Sequence, residues 1–121
     1  MIKIPVIDIF AGPGGLSEGF CGLLNEGLEF PIALSIEKDR WAYRTLQLRT
    51  FYREFNNVPE EYYGYLKGDI KNMEDLFDLY PVEAESVNKK VWQVELGNVE
   101  DKYVDLKIKQ RLKNNPFWVL L

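Results

Sequence analysis

Val6-Ile7-Asp8-Ile9-Phe10-Ala11-Gly12-Pro13-Gly14-Gly15-Leu16 joins an apolar run to a cluster of glycines. Ile4, Val6, Ile7, Ile9 and Phe10 are mostly β-branched, and such a run favours a buried strand. Glycines then crowd at Gly12, Gly14 and Gly15, broken only by Pro13. Helical spacing starts at Leu16 and runs through Phe20, Leu23 and Leu24. Strand, glycine turn, helix is an architecture that presents backbone N–H groups and a helix N-terminus to an anionic or polar ligand. Glycine suits the turn because a Cβ would block the ligand's approach or forbid the positive φ the turn uses.

The first strand is expected over Lys3–Phe10, and the first helix from Gly15 or Leu16 to about Asn25, with Gly27 as its stop. Ser17 and Glu18 fall in its first turn, where acceptors and negative charge suit the free N–H groups. Phe30–Ile36 reads as the second strand, ending at Glu37. Asp39 reads as the N-cap of a long helix to about Phe55, with Trp41, Leu48, Phe51 and Phe55 on one face. Arg49 and Arg53 fall on the opposite, solvated side, and the stem of Arg44 on the apolar one. Asn56–Pro59 is a loop, and Tyr62–Lys67, broken by Gly64, reads as a short third strand or extended segment before Gly68-Asp69-Ile70.

Asn72 or Asp75 starts a short helix that ends before Pro81. Glu83–Leu96 is expected as a helix stopping at Gly97, although Val91–Leu96 alone also fits a strand. Glu100–Lys113 is a charged amphipathic helix with Val104, Ile108 and Leu112 on one face. Asn114-Asn115-Pro116 breaks it, and Phe117–Leu121 is a fourth strand of buried type. Strands alternating with helices imply an α/β fold with right-handed crossovers, a mostly parallel sheet of order 3-2-1-4 and flanking helices. The chain is expected to be a single domain over residues 1–121, with a helical insertion at about 82–115.

Bulk properties narrow the function. The 121 residues are 46% apolar, which fits one globular domain, and no segment resembles a membrane span or a signal peptide. No histidine is present, so a histidine triad or histidine metal site is excluded within this chain, and no metal is expected. A single cysteine, Cys21, rules out an intrachain disulfide, and a reducing cytoplasm is the expected location. The net charge of −4 argues against a stand-alone nucleic-acid binder.

Ligands of such sheets bind outside the carboxyl ends of the strands. Three candidate groups fall there: the glycine turn, Glu37 and Asp69. Glu37 lies about 20 residues beyond the glycines, the spacing at which a carboxylate accepts hydrogen bonds from ribose hydroxyls. Asp69 suits the exocyclic amine of a base, and Ile70 with the stem of Lys38 suits its flat faces. Ser17 stands where a dinucleotide turn has its third glycine, so the pattern favours a ligand without pyrophosphate, whose amino and carboxylate groups meet an acid and backbone N–H groups.

At this point the chain resembles a family. Asp8-Ile9-Phe10-Ala11-Gly12-Pro13-Gly14-Gly15-Leu16 is similar to the opening motif of the cytosine-5 DNA methyltransferases, Ile36-Glu37-Lys38-Asp39 to their second motif and Gly68-Asp69-Ile70 to their third. The resemblance implies a partial Rossmann-like fold that binds S-adenosylmethionine. It puts Asp8, Phe10, Ala11, Gly12, Gly14, Gly15 and Leu16 at the methionine part, Glu37 on the ribose, and Lys38, Asp69 and Ile70 at the adenine. Lys38 departs from the bulky apolar residue often found there.

In the intact enzyme the resemblance implies that a cysteine attacks C6 of a flipped-out cytosine, and that C5 takes the methyl group and loses its proton. That cysteine belongs to a Pro-Cys segment after the fourth strand, and Cys21, in the first helix, is expected to be a buried structural thiol. The 121-residue chain is therefore expected to carry no catalytic residue and to be inactive alone. Double-stranded DNA is expected to be met through the remainder of the methyltransferase, and a homo-oligomer could form through strand 117–121. Another Rossmann-like nucleotide-cofactor fragment and a non-catalytic interaction module are the rival readings.

Overall fold

Pro5 splits the first expected strand. It lacks an N–H, so the ladder breaks there. In the computed structural model, which describes residues 2–22 and 27–121, Lys3–Phe10 is not continuous but becomes β1 (Ile2–Lys3) and β2 (Val6–Asp8). α1 (Gly15–Cys21) follows the glycine turn, and its expected continuation to Asn25, with Leu23 and Leu24, lies outside the described residues. β3 (Leu28–Glu29) pairs in parallel with β1. β4 (Ile32–Glu37) is the second expected strand, buried along most of its length. α2 (Arg40–Arg53) starts at Asp39, whose carboxylate accepts the Ala42 N–H at 2.8 Å.

The third expected strand is a helix, α3 (Glu60–Lys67). Glu60 and Glu61 sit in its first turn, Lys67 in its last, and Gly68 caps it at φ +89°. These end signals outweigh the β-propensity of Tyr62, Tyr63 and Tyr65. α4 (Met73–Asp78) begins at Asn72, whose side chain accepts the Asp75 N–H. The expected helix over Glu83–Leu96 divides instead into α5 (Pro81–Lys90) and β5 (Val91–Gln93). The stretch 82–115 is therefore not wholly helical. α6 (Asp101–Leu112) and β6 (Val119–Leu120) complete the chain.

The main sheet runs β5-β4-β2-β6, all parallel. The expected order 3-2-1-4 is not matched, because Tyr62–Lys67 contributes no strand and β5 lies beside β4, with Ser35 opposite Val91. Two apolar clusters cover the two faces. Leu46, Phe51, Leu76, Val87 and Val91 form one beneath α2, α4 and α5, with Phe51 stacked on Phe77 at 4.5 Å between ring centres. Ile7, Ala33, Leu34 and Ile36 form the other, under Val104, Ile108 and Leu112 of α6.

Burying a side chain such as Phe51 or Leu34 contributes about 1.5–3 kcal/mol each, and the clusters clamp β2 and β4 from both sides. That clamp fixes the positions of Asp8 and Glu37 at the carboxyl ends of these strands. Trp41, expected on the buried face of α2, is 73% exposed instead. β6 pairs with β2 by one edge only, and Phe117 beside it is 73% exposed, so its burial as a core strand is not realised within this chain.

Candidate functional site

The turn after β2 is built from backbone conformations that side chains resist. Gly12 has φ +57° and Gly14 φ +93°, while Phe10, an exposed aromatic, is held at φ +54°. A left-handed aromatic residue costs about 1–3 kcal/mol and persists only where its surroundings enforce it. Here they do. The Ile9 N–H meets Leu121 O at 3.3 Å, Ala11 N–H donates to Ile36 O at 2.9 Å, and Gly14 N–H closes on Ala11 O at 3.1 Å. Fully buried Ser17 donates its hydroxyl to Gly14 O at 3.0 Å. It is thus a brace under the turn and not the first-turn acceptor the sequence suggested.

Glu37 joins the two strand ends. Its Oε2 accepts the Gly12 N–H at 2.6 Å, and its Oε1 accepts the N–H groups of Lys38 and Asp39, each at 3.0 Å. A Cβ on Gly12 or Gly15 would meet nothing within 4 Å, so both open onto free space. Gly14 differs: its Cβ would stand 2.8 Å from Leu46 Cδ2, toward the core.

Asp8 lies beneath the turn, 3% exposed, with Oδ2 lacking a hydrogen-bond partner. Ser35, opposite Asp8 in the ladder, has a buried and equally unpartnered hydroxyl. Sequence reasoning missed Ser35; the signal was one hydroxyl inside the apolar run Ile32–Ile36. Burial pushes the Asp8 carboxyl above its usual range; the Ser17 hydroxyl partly offsets this and the Glu37 charge adds to it.

A raised folded-state value means that this group's contribution to stability is full below the ordinary aspartate value of 3.8 and is lost as pH rises through the folded value. Asp8→Asn is therefore expected to stabilise the unliganded chain at neutral pH by about 1 kcal/mol. The gain should vanish toward pH 3.5, a dependence that paired thermal melts would read; a gain that grows on acidification would refute it.

The remaining candidates are spread out. Leu16 and Phe10 are exposed on the turn. Ala11 and Ile70 pack on the same apolar cluster as Leu46 and Phe51. Asp69 does not end a strand: it follows the Gly68 cap of α3, where its N–H donates to Gly64 O at 2.8 Å, and its side chain is exposed. No hydrogen bond among the described residues joins Asp69 to Glu37 or to the turn. Lys38 reaches Glu95 at 3.6 Å. Cys21 is half-buried, and burial pushes its thiol up, which suits a structural thiol.

This geometry agrees with a likeness between chains. In an alignment 101 positions long that covers 77% of the chain, it is 37% identical to the Type II methyltransferase M.Bpa9945I of Bacillus paralicheniformis. The matched part is 22% of that protein, so the chain spans about a fifth of the curated relative it matches. It is thus similar to a segment of a methyltransferase. No family model matches the chain, and no solved structure does. Among the described residues, no group of three or more His, Cys, Asp or Glu is placed to hold a metal, and no helix is long and apolar enough to cross a membrane.

Proposed function

We propose that this chain is the S-adenosylmethionine-binding part of a DNA cytosine-5 methyltransferase. The observation that carries the reading is the 2.6 Å bond from Gly12 N–H to Glu37 Oε2, which ties the glycine turn to the second strand end. The likeness to a Type II methyltransferase supports the transferase class. Cytosine C5 as the acceptor rests on the order of Asp8–Leu16, Ile36–Asp39 and Gly68–Ile70.

The residues present fit the cofactor. Glu37 has one lone-pair site left beyond its three N–H contacts, on Oε2, available to a ribose hydroxyl. Gly12 and Gly15 leave a cradle that a Cβ would fill. Asp8 keeps a carboxyl beneath the turn, which favours a cationic ligand above it whenever it is ionised. In this reading Asp69 would accept the exocyclic amine, and Ile70 and the Lys38 stem would hold the base. When bound, the cofactor supplies an activated methyl group on a sulfonium. Double-stranded DNA and the remainder of the methyltransferase are the partners in this reading.

Calorimetric titration tests the reading. S-adenosylmethionine is expected to bind and NAD not to; the reverse result, or binding of neither, would reject it. The open edge of β6 adds self-association through residues 117–121. A monodisperse monomer in light scattering at high concentration would remove that part.

A further inference from the structure

Four arginines lie along α2, and three have a visible partner. Arg40 lies over the Trp41 ring at 5.4 Å, Arg44 pairs with Glu74 at 2.6 Å, and Arg53 pairs with Glu18. Arg49 has no carboxylate partner among the described residues, and it is half-buried where the sequence suggested a solvated position. Its Cδ is 3.9 Å from the point where a Cβ on Gly14 would stand, so its stem lies along the glycine turn. With Gly15, Glu18, Tyr52 and Tyr62 it lines an open cleft of about 460 Å³. Glu18, the carboxylate among these residues, is already held by Arg53. Among the described residues the cleft therefore holds one uncompensated cation beside two phenols.

A half-buried guanidinium without an anion has lost solvation and gained no Coulomb attraction in return. Its planar fork matches a carboxylate with two parallel hydrogen bonds. The turn also has a polarity. At Gly12 it meets a carboxylate that suits hydroxyls, and at Gly14 and Gly15 it meets a cation that suits an acid. A ligand with hydroxyls at one end and a carboxylate at the other matches that order. We propose that Arg49 receives the α-carboxylate at the amino-acid end of the ligand, with the Tyr52 and Tyr62 hydroxyls as further donors. This rests on the S-adenosylmethionine reading above and adds the residue that selects the amino-acid end.

Titrating the full chain with S-adenosylhomocysteine and with methylthioadenosine, which keeps the adenosine and the sulfur but lacks the amino-acid end, separates the two readings. Arg49→Gln is expected to weaken S-adenosylhomocysteine about tenfold and leave methylthioadenosine within about twofold, and Arg49→Lys to recover part of the loss. Equal losses for both ligands, or no loss for either, would overturn the role of Arg49. The unaltered chain gives a second readout that does not depend on how a variant folds. It should bind S-adenosylmethionine about tenfold more tightly than the decarboxylated compound, and equal affinity would overturn the proposal while leaving the adenosine site standing. Binding of none of the four compounds would reject the cofactor reading itself, and this proposal with it.

Discussion

Gly14→Val is expected to lower the melting temperature by about 10 °C or more, at roughly 3–5 °C per kcal/mol for a chain of this size. Two costs combine. Valine at φ +93° is strained, and its first carbon would press on Leu46 Cδ2 at 2.8 Å, in a fully packed part of the core. Left-handed strain and overpacking together cost about 2–6 kcal/mol, a large share of the ~5–15 kcal/mol that holds a small domain together.

Gly15→Ala is the informative contrast. Gly15 has no positive φ, and its Cβ would meet open space, so the melting temperature should scarcely move. Its methyl group would instead enter the cradle, and affinity for S-adenosylmethionine should fall. Thermal melts and calorimetry on the pair read both quantities. If Gly14→Val melts like the unaltered chain, the packing of the turn against α2 is wrong.

The second large effect is expected for Glu37→Gln. An amide cannot serve both ends of the present arrangement: one end keeps an acceptor and the other turns an NH₂ toward N–H donors, either Gly12 or the Lys38 and Asp39 pair. A hydrogen bond to a charged group is worth about 1.5–3 kcal/mol, so the chain should lose stability as well as ligand. Affinity for S-adenosylmethionine should drop tenfold or more, about 1.4 kcal/mol. Glu60→Gln, an exposed position in the first turn of α3, is the control. Glu54, which sequence reasoning would choose as a solvated control, is unsuitable because it holds Lys90 at 2.7 Å and is mostly buried. Equal affinity of the Glu37 and Glu60 variants would remove Glu37 from the site.

What the sequence made legible was local. Alternating β-branched residues, the clustered glycines and the Asp39 cap each act within a few residues, and β2, the turn, β4 and α2 follow from them. The errors came where a choice depended on distant partners. Val87, Val91 and Val94 are spaced as a helix repeats, yet Val91–Gln93 becomes a strand because β4 offers an edge more than fifty residues away in sequence, pairing Ser35 with Val91. Tyr62–Lys67 erred the other way, with its aromatics given more weight than Glu60, Glu61 and the Gly68 cap. The place of Glu37 at the end of β4 was legible from the apolar run before it. The bond to Gly12 was not, since the sequence does not say which way a carboxylate turns.

The contact between Glu37 and Gly12 bears on how a ligand would be received. A glutamate side chain loses on the order of 1.5–2 kcal/mol of rotamer entropy when it is fixed. Three backbone donors already fix Glu37 in the unliganded fold, so that ordering belongs to folding and not to association. A ligand arriving at the strand ends meets a rigid acceptor whose direction is set, and more of its contact energy remains as affinity. Rigidity also selects: a sugar whose hydroxyls stand at another angle cannot turn the carboxylate toward itself without first breaking the bond to the glycine turn.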